Sequence, residues 1–237
     1  MIFLIPILLM LSACAPTPKL AEVPSYFQID AGTAGTIRGT IRFAGAKPAA
    51  KVISLDSDPQ CAKLHKGGRI TDDGAGVFVY LKTGLEGKRF APPAEPAVID
   101  QKGCRFQPRV IGMQTGQPLR VTNSDPVTHN IHPQPKRNRD WNQSQAPEDP
   151  PLSRKFAVPE IMIPVKCNVH NWMRAWIGVL DHPYFAVTGA NGAFEIANVP
   201  PGSYTVAAWQ ETLGSEEQSV TLAASATSEL TFTFKGN

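Results

Sequence analysis

Apolar and polar residues alternate with period two over Thr36-Ile37-Arg38-Gly39-Thr40-Ile41-Arg42-Phe43 and stop at Ala44-Gly45, the pattern of a half-buried strand. Val77-Phe78-Val79-Tyr80-Leu81-Lys82 reads as a second strand, and Arg105 to Ile111 and Gln117 to Thr122 as two more. Strands resume at Lys155-Phe156-Ala157-Val158, at Ile161 to Val165 and at Ala175 to Leu180. Between them, Asp56 to Gly76 is rich in Lys, Gly and Asp, and Ala91 to Pro96 is a Pro-rich loop barred from a central strand. Ile131 to Lys155 is a long polar stretch with five prolines, either a disordered insertion or a recognition surface. Beyond residue 184, Phe185-Ala186-Val187-Thr188, Ala193 to Ile196 and Ser203 to Trp209 are short strands separated by turns, with Asn191-Gly192 a hairpin signal.

Composition agrees with an all-β chain. Pro (22) and Gly (19) are plentiful and helical periodicity is scarce. A length of 237 residues holds one large or two modest domains. The formal charge of +3 is small and dispersed, without a basic cluster interleaved with stacking aromatics, so nucleic acid is not an expected partner.

Ile2 to Leu11 is an apolar run interrupted only by Pro6, too short to span a bilayer and of the length of a secretory h-region. Leu11-Ser12-Ala13-Cys14 follows and resembles a bacterial lipobox. That resemblance implies a signal peptide over 1–13, lipidation of Cys14, a tether over 14–34, and a periplasmic or other extracytoplasmic protein anchored to a membrane. Ala15 in place of Asp favours the outer membrane. With Cys14 lipidated, three thiols remain, and a disulfide between Cys61 and Cys104 would leave Cys167 free.

Cys167-Asn168-Val169-His170-Asn171-Trp172-Met173 offers a thiolate, an imidazole and a thioether within one loop between two β runs. Copper cycling between Cu(I) and Cu(II) suits this mixture, whereas zinc rarely recruits Met. A second imidazole is needed, and His129 in Asn123-Ser124-Asp125-Pro126-Val127-Thr128-His129-Asn130 follows a strand. This strand, turn and His-Asn pair, then Cys-x2-His-x2-Met, resembles the cupredoxins and has the ligand-loop spacing of amicyanin. The likeness covers residues 118 to 181. It implies a Greek-key β-sandwich over about 35–183, equatorial ligands His129, Cys167 and His170, axial Met173, and Asn130 tying the ligand loops together. His132 is the rival to His129, but it precedes proline and lacks the family's His-Asn pair. His65 lies four residues after Cys61, and His182 before Pro183 reads as a surface residue at the domain junction.

Thr188 to Trp209 resembles the carboxypeptidase regulatory-like, transthyretin-like β-sandwich module, implying a second small domain over 184–237. Thr36 to Phe43 also looks like that module's first strand, and the sequence leaves open which domain owns it. By the cupredoxin resemblance the expected function is electron transfer rather than catalysis, with a c-type cytochrome or periplasmic dehydrogenase as partner. His170 would be the exposed edge, Asn171 and Trp172 its rim, and Lys136, Arg137 and Arg139 a source of steering charge. Copper delivery or storage, and a metal-free interaction module, are the alternatives.

Overall fold

The computed structural model describes residues 25–45, 48–72, 74 and 76–236. The expected signal peptide over 1–13 and Cys14 lie outside the described residues. Among the described residues no helix is long and apolar enough to cross a membrane.

The chain is all-β apart from a short cap. In order, the strands are β1 (Gly35–Ala44), β2 (Lys51–Ser54), β3 (Arg69–Asp72), β4 (Phe78–Thr83), β5 (Ala97–Gln101), β6 (Phe106–Gln107), β7 (Val110–Gln114), β8 (Leu119–Asn123) and β9 (His129–Pro133). There follow β10 (Gln143–Gln145), β11 (Leu152–Arg154), β12 (Glu160–Lys166), β13 (Arg174–Leu180), β14 (Phe185–Val187), β15 (Ala193–Val199), β16 (Gly202–Gln210), β17 (Gly214–Leu222) and β18 (Thr227–Lys235). Helix α1 (Pro59–Lys63) and a 3-10 turn (Lys66–Gly68) lie between β2 and β3.

Four main sheets stack face to face. The sheet β11-β8-β5-β6 packs on β10-β9-β12-β13-β7 around Ile99, Met113, Val121, Ile131, Ile163 and Ile177. The other face of that second sheet meets β14-β4-β16-β17 through Phe78, Tyr80, Val110, Met162, Leu180 and Trp209. The third sheet in turn packs on β15-β1-β18 around Val79, Leu81, Val206, Phe194 and Phe232. The two middle sheets are therefore covered on both sides. Phe78 and Tyr80 face one core and Val79 and Leu81 the other, so β4 reads as a continuous apolar run. Gly112 and Gly178 make the central contact close: a Cβ at either would lie 2.4 to 2.5 Å from the Phe185 or Phe78 ring.

Strand β1 settles where Thr36 to Phe43 belongs: it runs antiparallel to β15 and parallel to β18. Strand β4 likewise pairs with β14 and β16, so hydrogen-bonded sheets cut across the 183/184 boundary drawn from sequence. The tether over 14–34 ends earlier than expected, since Phe27 packs edge-on against Phe90 and its N–H bonds Arg89 O. Asn191-Gly192 does not close a hairpin; β14 and β15 lie in different sheets and the turn carries the chain between them. The strand expected over Arg105 to Ile111 is broken at Pro108, which has no N–H for a ladder, and its halves join different sheets. The strand expected at Lys155 to Val158 lies earlier, at β11, although Phe156 is buried. The polar stretch 131–155 is ordered: β10 edges β9, β11 edges β8, and Gln145 hydrogen-bonds Gln101 in the interior. His182 is not a surface residue. It is 6% exposed, its Nε2 donates to Leu81 O and its Nδ1 accepts from the Tyr184 N–H.

Candidate metal centre

His129 opens β9 and Cys167 directly follows β12, while His170 lies in the turn leading to β13. Cys167 N–H donates to Met173 O and Met173 N–H to His170 O, so the heptapeptide folds back on itself and closes at the top of the sheet. One ligand atom each from His129, Cys167 and His170 converge within 4.8 Å, and all three residues are buried. The two Nδ1 atoms are 3.0 Å apart, and Cys167 Sγ lies 3.9 Å from His170 Nδ1. Metal–imidazole bonds of about 2.0 Å and metal–thiolate bonds of about 2.3 Å permit one ion to reach all three atoms. Met173 is buried in the same core cluster as Cys167.

Each imidazole is turned inward by a carboxylate on its far nitrogen. His129 Nε2 donates to Asp125 Oδ2 at 2.9 Å, and His170 Nε2 to Asp58 Oδ2 at 2.9 Å. Such partners fix tautomer and orientation, leaving Nδ1 free as a donor to metal. Asp125 is itself held by the N–H groups of Gly103 and Cys104, both at 2.7 Å. Burial pushes the Asp125 carboxyl up, but the bonds from His129, Cys104 and Gly103 outweigh it and hold it below the usual range. Burial also acts on the Cys167 thiol, pushing it up, yet His129 and the N–H groups of His170, Asn130 and Val169 bring it below its ordinary value. The reciprocal holds for His129: burial lowers it, Asp125 and Cys167 raise it further, and the balance is upward.

Asn130 Oδ1 accepts the Asn168 N–H at 2.9 Å, joining the two ligand-bearing loops, and its amide donates to Asn142 Oδ1. His132 points elsewhere, between Asn168 and Asp140. His65 bonds Gly103 O, and Cys61 forms a disulfide with Cys104, leaving Cys167 free among the described cysteines.

The stretch Asp56 to Gly76, read only as polar, supplies what the sequence did not reveal. It holds α1, the 3-10 turn and β3, which pairs with β2, and α1 lies over the ligand loop. Asp58 both caps α1, accepting from the N–H groups of Gln60 and Cys61, and bonds His170. His170 is consequently only 2% exposed, and the expectation that it forms the open edge of the site fails. Asn171 is exposed; Trp172 is half-buried, its ring 5.0 Å from His170 and its Nε1 bonded to Cys104 O. Asp58-Pro59 before Cys61 is a legible helix start, but nothing near it in sequence names its target. Lys136 and Arg137 donate their backbone N–H groups to Glu160, which pins the basic stretch.

Among solved structures, a copper-containing nitrite reductase from Thermus scotoductus superposes with TM-score 0.35 and 16% identity over 43% of this chain, which spans only 25% of that one. A purple cupredoxin from Nitrosopumilus maritimus gives TM-score 0.30 and 19% identity over 35% of this chain and 98% of the other. Amicyanin from Paracoccus versutus gives 0.32 and 15% over 43% of this chain and 96% of the other. The superpositions are loose. No curated protein sequence matches the chain. Residues 178–235 match the Carboxypeptidase regulatory-like domain, the segment whose strands pair with β1 and β4.

Proposed function

We infer that the chain is an extracytoplasmic electron carrier in which His129, Cys167 and His170 hold one copper ion, with Met173 as a weak axial ligand. The observation that carries this reading is the convergence of one thiolate and two carboxylate-oriented imidazoles on a single buried point. Bound copper supplies one-electron chemistry between Cu(I) and Cu(II). The chain supplies the rest. The His170 N–H donates to Cys167 Sγ at 3.3 Å and steadies the thiolate, while α1 and the disulfide exclude water from His170.

Four protein ligands leave no open position for a substrate, which argues against catalysis at this centre. Copper delivery or storage calls for exposed, exchangeable ligands, whereas these are buried. The Cys61–Cys104 disulfide suits an oxidising compartment, in keeping with a periplasmic protein anchored by lipid on Cys14 to a bacterial membrane. With His170 covered, Trp172 and Asn171 form the nearest route to a redox partner such as a c-type cytochrome or periplasmic dehydrogenase.

The test is to load the soluble part with one equivalent of Cu(II). An intense visible thiolate-to-copper band is expected, lost in Cys167→Ser. A wild type that binds copper and stays colourless overturns the assignment.

A further inference from the structure

Beside the ligand loop lies a cavity of about 340 Å³ lined by Ile53, Ile70, Asp72, Phe106, Trp172 and three arginines. It is formed where β2 and β3 of the cap lean on β6 and on the start of β13, and its size suits a small organic ligand.

Charge around it is unevenly matched. Arg109 is committed, through Nη1 to Asp72 at 3.1 Å and through Nη2 to both carboxylate oxygens of Glu211 at 2.9 and 2.8 Å. Arg174 Nε donates to Asn171 O at 3.2 Å. Among the described residues the Arg105 side chain has neither an ion-pair nor a hydrogen-bond partner, and its Nε is buried without a protein acceptor, as is Arg109 Nε. Guanidinium donors normally find acceptors, and Arg105, on the cavity wall, has none among the described side chains and backbone around it. A guanidinium fork fits a carboxylate, and the Ile53, Ile70, Phe106 and Trp172 walls fit a flat apolar body.

We propose that this cavity binds a small aromatic carboxylate, its carboxyl group on Arg105 and its ring between the apolar walls and the Trp172 indole. The proposal is independent of copper, since every group it uses belongs to the metal-free chain. A strongly hydrated inorganic oxyanion would satisfy Arg105 but not the walls, and a neutral aromatic the reverse.

The experiment titrates benzoate, benzyl alcohol and inorganic phosphate separately into the purified soluble protein, following heat and tryptophan fluorescence. Saturable benzoate binding is expected, with benzyl alcohol and phosphate each weaker by roughly tenfold or more, the factor a charge-assisted hydrogen bond carries. Arg105→Gln is expected to weaken benzoate by a similar factor and to leave benzyl alcohol unchanged. No saturable benzoate binding, equal binding of phosphate, equal binding of benzyl alcohol, or an unaffected Arg105→Gln variant overturns it. Should Arg105→Gln fail to fold, the benzoate and benzyl alcohol comparison on the wild type decides alone.

Discussion

Two carboxylates decide which nitrogen each imidazole turns toward Cys167. Asp125 and Asp58 accept from Nε2 of His129 and His170, so both rings present Nδ1 inward. Asp58→Ala should therefore leave the ligands in place but lower copper affinity by about 10- to 100-fold, the usual cost of losing such a partner. Competition with a chelator of known affinity measures this, and an unchanged affinity would show that the loop alone orients His170. The copper-free pair also has a pH signature. Burial opposes both charges, but His129 and Cys167 stabilise each other, so the thiol titrates below its ordinary value and the imidazole above its own. For the depressed thiol, the stabilisation is present above the unfolded thiol's pKa and fades as pH falls through the folded value. For the raised imidazole it is complete below the unfolded value and fades as pH rises through the folded one. The two contributions thus run in opposite directions with pH, and His129→Gln should move the thiolate ultraviolet absorbance to higher pH. The nearness of Cys167 to His170 was legible because they share one loop. Asp58 was not, because it stands 112 residues from His170 and only folding brings it there.

At the scale of elements, the cap joins the two halves of the site. The Cys61–Cys104 bridge ties α1 to the segment whose N–H groups hold Asp125 and whose Cys104 carbonyl holds Trp172. It closes 43 residues of chain, a loop whose constraint is worth about 4 kcal/mol in the chain-entropy account. The double variant Cys61→Ala, Cys104→Ala should lose stability of that order in a urea melt and release copper to a chelator faster. A destabilised protein with an unchanged release rate would show that α1 stays seated without the bridge. The pairing was legible from cysteine arithmetic, but α1 was not read, although Asp58-Pro59 marks its start. What α1 covers was not legible, because a five-residue helix with one buried side chain carries no pattern pointing to its partner. The same limit hid the broken strand at Pro108, where one apolar run serves two sheets.

Over the whole molecule, strands near the N-terminus complete the sheets that end the chain. Thr36 pairs with Thr227 and Phe78 with Trp209, so the sandwich around Val206 and Phe232 draws strands from both sides of the segment that carries His129, Cys167 and His170. The all-β class and most strands were legible from alternation and turns. The partners of β1 and β4 were not, because a period-two pattern reports a buried face but not the strand beside it. Gly39 shows how closely β1 is fitted: a Cβ there would lie 2.1 Å from Leu230 O and 2.8 Å from Phe194 Cζ. Gly39→Val should cost roughly 3 kcal/mol or more, as forced overpacking of a core strand does, and a melt unchanged from wild type would place β1 outside the sheet. The domain-family match covers 178–235 only, and that segment includes neither β1 nor β4. Cut out alone, it loses the strand between β15 and β18 and the one between β14 and β16, opening both sheets and baring Val206, Ala208, Phe232 and Phe234. Two open sheets of so few strands do not bury enough apolar surface to offset the ordering of the chain. Expressed as residues 178–235, the segment should show no cooperative urea transition by circular dichroism, while the protein from residue 25 onward unfolds cooperatively. A two-state melt from the fragment would mean that its own strands close the sandwich without β1 and β4.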